Sequence, residues 1–296
     1  MAFEALEDIV KRCAEEKKEF WQVVMEEDAA ERDVTIEASM EQMRNTWDAM
    51  LLAAATYDKD IRSASKMAGG DGYKMEQYLK AQGDDCLCGS YMAEVIAGAL
   101  EMGESNACMK RIVAAPTAGA CGVLPAVLLP WFKRRRESAE EILKALYVSA
   151  GIGQVIAFRA SISGAQGGCQ AEIGSASAMA AGMMVSLKGG SAEQIIHAAA
   201  MALKNLLGLV CDPVAGLVEV PCIKRGVIGA VGAMAAADMA LAGITSRIPP
   251  DQVIDAMREV GDKMDVSLKE TALGGLAATA AGLEAGQKFK EQVKNQ

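Results

Sequence analysis

The chain opens on an amphipathic pattern. Phe3, Leu6, Ile9, Val10 and Cys13 recur at helical spacing among charged residues, as expected of a helix with one buried face. The same reading predicts a second helix over about residues 35–57 and another over 91–102. Between them, residues 63–72 (Ser-Ala-Ser-Lys-Met-Ala-Gly-Gly-Asp-Gly) hold too many glycines for regular structure. Ser138 with Glu141 forms a capping pair that opens a predicted helix through Tyr147. Ser191 with Gln194 opens another that ends near Gly208, leaving Cys211 just past its C-terminus. Residues 226–242 are apolar almost all round, which predicts a central buried helix. Pro249-Pro250-Asp251 starts the last amphipathic stretch. With no repeat and no linker in view, the expectation is one helical domain over residues 1–296. Within it a more charged helical segment, 1–60, precedes an apolar second half.

Composition supports helices over sheets. The 296 residues are 51% hydrophobic but only 4% aromatic, with 29 Gly and 18 Met. Ala, Met and Gly stand where sheets would use β-branched and aromatic residues, so the predicted fold class is all-α, with Gly/Pro-rich turns between closely packed helices. A net charge of -9 argues against nucleic acid or an anionic membrane as partner. The basic run from Lys133 to Arg136 reads as a solvated face. Residues 112–132 carry no charge, yet Pro116, Gly119, Gly122, Pro125 and Pro130 would break a lipid-exposed helix repeatedly. A buried turn followed by a buried helix is the better reading. The charged, amphipathic start shows no export signal, so a cytoplasmic protein is expected, with its eight cysteines as thiols or metal ligands rather than disulfides.

Three of those cysteines lie beside glycine or proline: Cys169 in Gly-Gly-Cys-Gln-Ala-Glu, Cys211 in Cys-Asp-Pro-Val and Cys222 in Val-Pro-Cys. Three thiolates in such settings suit an iron–sulfur cluster with one iron left open, but spacing alone equally admits plain buried thiols. Cys86-Leu87-Cys88 is the nearest rival pair, and its middle residue points the two thiols apart. Cys13 belongs to a helix face, and Cys108 and Cys121 flank the turn at 116–119. In that turn Thr117, Ala118 and Gly119 offer backbone N–H groups to an anion, or simply pack. Ser161 and Ser163 supply hydroxyls, or helix caps, just before Cys169. His197, the sole histidine, sits among Ile and Ala and reads as a core residue, so a Ser-His-Asp triad has little support. Lys66, after Ser65 and before the glycine-rich loop, has the pattern of a pyridoxal phosphate lysine. No second phosphate loop accompanies it.

Five irregular motifs then occur in order: Arg-Ser-Ala-Ser-Lys-Met-Ala-Gly-Gly-Asp from Arg62, Val-Ala-Ala-Pro-Thr-Ala-Gly from Val113, Ser-Ile-Ser-Gly-Ala-Gln-Gly-Gly-Cys-Gln-Ala-Glu from Ser161, Cys-Asp-Pro-Val-Ala-Gly-Leu-Val-Glu-Val-Pro-Cys from Cys211, and Glu-Thr-Ala-Leu-Gly-Gly-Leu-Ala-Ala-Thr from Glu270. Together they resemble the α chain of bacterial iron–sulfur L-serine dehydratase (L-serine ammonia-lyase), over roughly residues 60–285. The resemblance implies a [4Fe–4S] cluster ligated by Cys169, Cys211 and Cys222, with one iron free of protein cysteine, and conversion of L-serine to pyruvate and ammonia. It also implies a β subunit as partner, since the family's Ser-Ser-His-Thr stretch belongs to its other half and is absent here. The sequence closes on Val-Lys-Asn-Gln, with no cysteine tail to cap the open iron. On this reading Lys66 or a β residue is the base, and Thr117, Ala118, Gly119 and Ser163 meet the substrate. Cysteine desulfidation on the same cluster, a pyridoxal phosphate lyase using Lys66 and a non-catalytic helical subunit are the alternatives.

Overall fold

A computed structural model describes residues 3–294; the closing Asn295-Gln296 lies outside that range. Among the described residues are thirteen α-helices and no strand, so the all-α expectation holds. They are α1 (Leu6–Glu16), α2 (Phe20–Glu31), α3 (Ile36–Ala55), α4 (Asp71–Gln82), α5 (Gly89–Ala107), α6 (Val123–Arg135), α7 (Ala139–Arg159), the single turn α8 (Gly164–Gly167), α9 (Ser175–Leu187), α10 (Ala192–Lys204), α11 (Cys222–Leu241), α12 (Pro250–Lys263) and α13 (Ala280–Lys294).

The local signals place several of these well. Thr35 caps α3 by accepting the Ala38 N–H at 3.2 Å. Ser138 does the same for α7, and Ser191 and Gln194 form a complete capping box on α10. Several expectations need correction. First, α7 runs twelve residues past Tyr147, through Gly151 and Gly153. There glycine marks close packing: a Cβ on Gly151 would sit 2.5 Å from Val24, and one on Gly153 2.9 Å from Met179. Second, the helix predicted over 226–242 begins at Cys222 and is not buried all round. Lys224, Ile228, Ala235 and Asp238 face solvent.

The fully buried helix is α9, Ser-Ala-Ser-Ala-Met-Ala-Ala-Gly-Met-Met-Val-Ser-Leu, with every residue from Ser175 to Val185 inside. It lies among α6, α7, α10 and α11. Its small side chains let those helices approach closely, and a continuous apolar core runs from Phe3 to Met257. Residues 112–132 resolve into a half-exposed turn and a buried helix, α6; only the helix half of that expectation was right. One helix, α7, is long and apolar enough to cross a bilayer, but 67% of its most apolar window is buried. His197 is half-buried and accepts the Ser246 N–H at 3.4 Å, so it lies at the edge of the core rather than within it as the sequence suggests.

A cleft of about 700 Å³ between α3, α4, α5 and α6 is lined by Leu51, Glu76, Glu101, Pro125 and Lys133. Burial, and then the neighbouring Glu76, pushes the Glu101 carboxyl up to about 7. The folded chain therefore holds a proton there that the unfolded chain releases near the ordinary carboxylate pKa. Stability from this group is present at low pH and is lost as pH rises through about 7. Glu101→Gln is expected to stabilise the fold on the order of 1–3 kcal/mol at pH 8 and to give no gain at pH 4. Urea unfolding at the two pH values measures this, and an equal change at both would contradict it.

Candidate functional site

The three glycine- and proline-marked cysteines converge because three separate segments are tied together by backbone hydrogen bonds. After the single turn α8 the chain passes Gly168 and enters a π-type turn over Gln170–Gly174 that leads into α9. Such turns recur at functional sites. Cys169 sits at its head. The Gln170 N–H donates to Leu209 O at 2.9 Å. The Gln170 side chain, wholly buried, accepts from Gly208 N at 2.8 Å and donates to Met257 O at 3.0 Å. Gln170 thus fastens the Cys169 turn to the segment leading into Cys211 and to α12.

Cys211 is held on its other side by the fifth motif. Its N–H donates to Leu268 O and its carbonyl accepts from Glu270 N, both at 2.8 Å, in a parallel bridge to Lys269. Asp212 accepts the Leu276 N–H at 2.7 Å. Gly275 adopts φ 58° against that carboxylate, where any Cβ would collide with it. From Asp212 the chain makes a short excursion closed by Val214 N–H to Val220 O at 2.9 Å, and returns to start α11 at Cys222. Glu219 in this excursion is buried and accepts from Ser63 Oγ at 2.8 Å and Ser65 Oγ at 2.5 Å. The Ser-Ala-Ser-Lys loop is thereby docked on the cysteine loop. Ala115-Pro116 and Val220-Pro221 are cis.

All eight cysteines are free thiols. Cys169, Cys211 and Cys222 are 2%, 3% and 8% exposed. Burial pushes each thiol up to about 12. Among the smaller causes each feels one of the other two, while Arg225 opposes the rise at all three. Arg225 pairs with Asp212 at 2.7 Å and donates to Val210 O at 2.7 Å, and its charge favours ionisation of the Cys169 thiol. No group of three His, Cys, Asp or Glu among the described residues is spaced for a single metal ion.

The other cysteines take other places. Cys13 lies in the core. Cys86 is buried and Cys88 exposed, with Leu87 almost wholly in solvent between them. Cys121 points at Met102 O on α5. Cys108 is half-buried, with Glu104 and Glu219 near enough to oppose its ionisation.

One carboxylate joins the cysteines to the predicted anion turn. Thr117 Oγ1 donates to Glu172 Oε1 at 2.7 Å. A Cβ on Gly119 would lie 3.1 Å from the same oxygen. A Cβ on Gly164 would lie 2.8 Å from Glu172 Oε2 and 3.1 Å from Cys211 Sγ. Glu172 Oε2 therefore packs closely against Gly164 on the side of the Cys211 thiol, an approach that a side chain on either glycine would obstruct. Burial, helped by Glu270, holds the Glu172 carboxyl above the usual carboxylate range, against the opposing Thr117 hydrogen bond. The turn itself closes through Ala120 N–H to Thr117 O and Cys121 N–H to Ala118 O, both at 3.2 Å. The N–H groups of Ala118 and Gly119 are left at its open end.

In the sequence Glu172 stands inside a motif with no local partner to mark it. The glycine at 164 and the threonine at 117 were the signal, legible only once the segments met. Ser163 directly precedes Gly164 and is half-buried. Lys66 is exposed, in a left-handed turn closed by its own N–H to Ser63 O at 2.9 Å. A cleft of about 600 Å³ lies behind the site, lined by Ser161, Gly167, Arg258, Lys269 and Thr271.

The comparisons with known proteins agree with this arrangement of motifs. Residues 15–277 match the family described as serine dehydratase alpha chain. The probable L-serine dehydratase alpha chain of Bacillus subtilis is 43% identical over 97% of this chain and 95% of its own length. The L-serine dehydratase alpha chain of Peptoniphilus asaccharolyticus is 40% identical over 96% and 97%. Escherichia coli L-serine dehydratase TdcG is 48% identical over 60% of this chain, but the match spans only 40% of that longer protein. The ordered motifs, the near full-length identity and the convergence of those motifs on one buried site lead to one assignment: the chain belongs to the serine dehydratase alpha chain family.

Proposed function

We propose that the chain is the cluster-bearing α subunit of an L-serine ammonia-lyase, with a [4Fe–4S] cluster held by Cys169, Cys211 and Cys222. The observation that supports this reading is the meeting of a buried thiol, Cys211, and a carboxylate, Glu172, at Gly164, with two further buried thiols whose charges act in the same site. The donor set fits such a cluster. Cys169, Cys211 and Cys222, buried thiols whose charges act on one another, would hold it.

When bound, the cluster supplies a Lewis acid for the departing β-hydroxyl. The chain's own residues do the rest. Ala118 and Gly119 offer N–H donors to the serine carboxylate. Thr117 fixes Glu172 Oε1, which leaves Oε2, on the side of Gly164 and the Cys211 thiol, to take the α-proton. Loss of that proton and of hydroxide leaves an enamine, which rearranges to an imine, and water then releases pyruvate and ammonia.

A β subunit completes the assembly, as the alpha-chain names of the relatives indicate for those proteins. Alone, the α chain is expected to fold, to bind iron and sulfide after anaerobic preparation, and to turn over serine slowly. Adding β should raise the rate. Full turnover by α alone would contradict the split-site reading. Absorbance separates the alternative at Lys66, because a pyridoxal Schiff base and an iron–sulfur cluster differ in spectrum.

A further inference from the structure

Arg225 grips the chain on both sides of Cys211. Its guanidinium pairs with the Asp212 carboxylate and donates to the Val210 carbonyl, each at 2.7 Å. It stands one helical turn after Cys222 on α11. The pair is largely out of water, with side-chain exposures of 16% for Arg225 and 4% for Asp212. A buried ion pair is expensive to desolvate and is weak evidence of stability by itself. Here it is placed where three further charges arise when the thiols become ligands.

We propose that Arg225 is the charge partner of the three-thiolate site, a positioning residue whose fixed cation, oriented by Asp212 and Val210, offsets the thiolate charge and sets the reduction potential and iron retention of the bound cluster. This rests on the cluster reading above. The physical basis is Coulombic. Three thiolates outweigh the charge of an oxidised [4Fe–4S] core, leaving the site anionic. A cation in a low-dielectric wall stabilises that anion and, more strongly, its one-electron-reduced form. Asp212 and the Val210 carbonyl hold the guanidinium in place beside Cys211, so the field is directed at the ligand loop.

The test uses reconstituted protein, with the cluster potential followed by electron paramagnetic resonance and the rate of iron loss in air followed by iron assay. Arg225→Gln removes the cation and should shift the potential to more negative values, with iron lost several-fold faster. Asp212→Asn removes the opposing anion while the Val210 carbonyl still holds the guanidinium, and should shift the potential the other way. A purely structural ion pair predicts the same behaviour from both variants, since each breaks the same bond. Opposite shifts support the proposal; shifts of one sign, or none, overturn it. If Arg225→Gln fails to fold by circular dichroism, Asp212→Asn decides alone, an upward shift supporting the proposal and any other result overturning it. Wild-type protein that holds no cluster would instead overturn the underlying reading, a result distinguishable from failure of this inference.

Discussion

Replacing any one of Cys169, Cys211 and Cys222 by serine is expected to abolish both cluster content and serine turnover. Each thiol is buried, and each comes from a different segment: the π-type turn, the bridge to Lys269 and the first residue of α11. Cys121 is turned to α5 and Cys86 lies beyond it in the α4–α5 connection. A serine hydroxyl is a far weaker ligand for iron than a thiolate, so loss should be nearly complete at every one of the three positions. Cys13→Ser, in the core formed by α1 and its neighbours, is the matched control. It should cost stability through a buried hydroxyl, about 1–3 kcal/mol, and leave iron and sulfide content intact. Iron and sulfide assays on the four variants read the result directly, and full iron in Cys211→Ser would remove the assignment.

Glu172→Gln should separate chemistry from cluster binding. The amide keeps the size of the side chain and can still accept the Thr117 hydroxyl, but cannot take a proton. Turnover of serine by the αβ enzyme is expected to fall by about a hundred- to ten-thousandfold, with iron content and spectrum unchanged. Thr117→Val frees Oε1 and should produce a smaller loss of the same kind. An unchanged rate in Glu172→Gln would return the base to Lys66 or to the β subunit. These outcomes are distinct, because Lys66 lies on an exposed loop and its substitution leaves the Thr117–Glu172 bond alone.

What the sequence revealed followed from how local each signal is. Caps at Thr35, Ser138 and Ser191 act within three residues, so they marked helix starts that the structure retains. The cysteines stood out because glycine and proline interrupt the chain beside them. The extent of α7 was hidden because Gly151 and Gly153 look like breakers, whereas they pack against Val24 and Met179 from distant elements. The burial of α9 left no periodic trace, since a helix enclosed on all sides has no polar face to mark it. Glu172 was invisible as a functional group because its partner is 55 residues away in Thr117. Arg225 likewise acquires meaning only from Asp212 and Val210 across the loop. Local pattern gives elements and ligand types; the charge and proton partners of a site come from tertiary contacts.

The most direct measurement of the central claim is pyruvate formation from L-serine by the anaerobically prepared αβ enzyme, followed through exposure to air and then through treatment with ferrous iron and a thiol reductant. An iron without a cysteine ligand is the most readily lost on oxidation. The account therefore predicts activity before air, its loss in air in step with iron release, and its recovery on treatment. Undiminished turnover after prolonged exposure to air would contradict it.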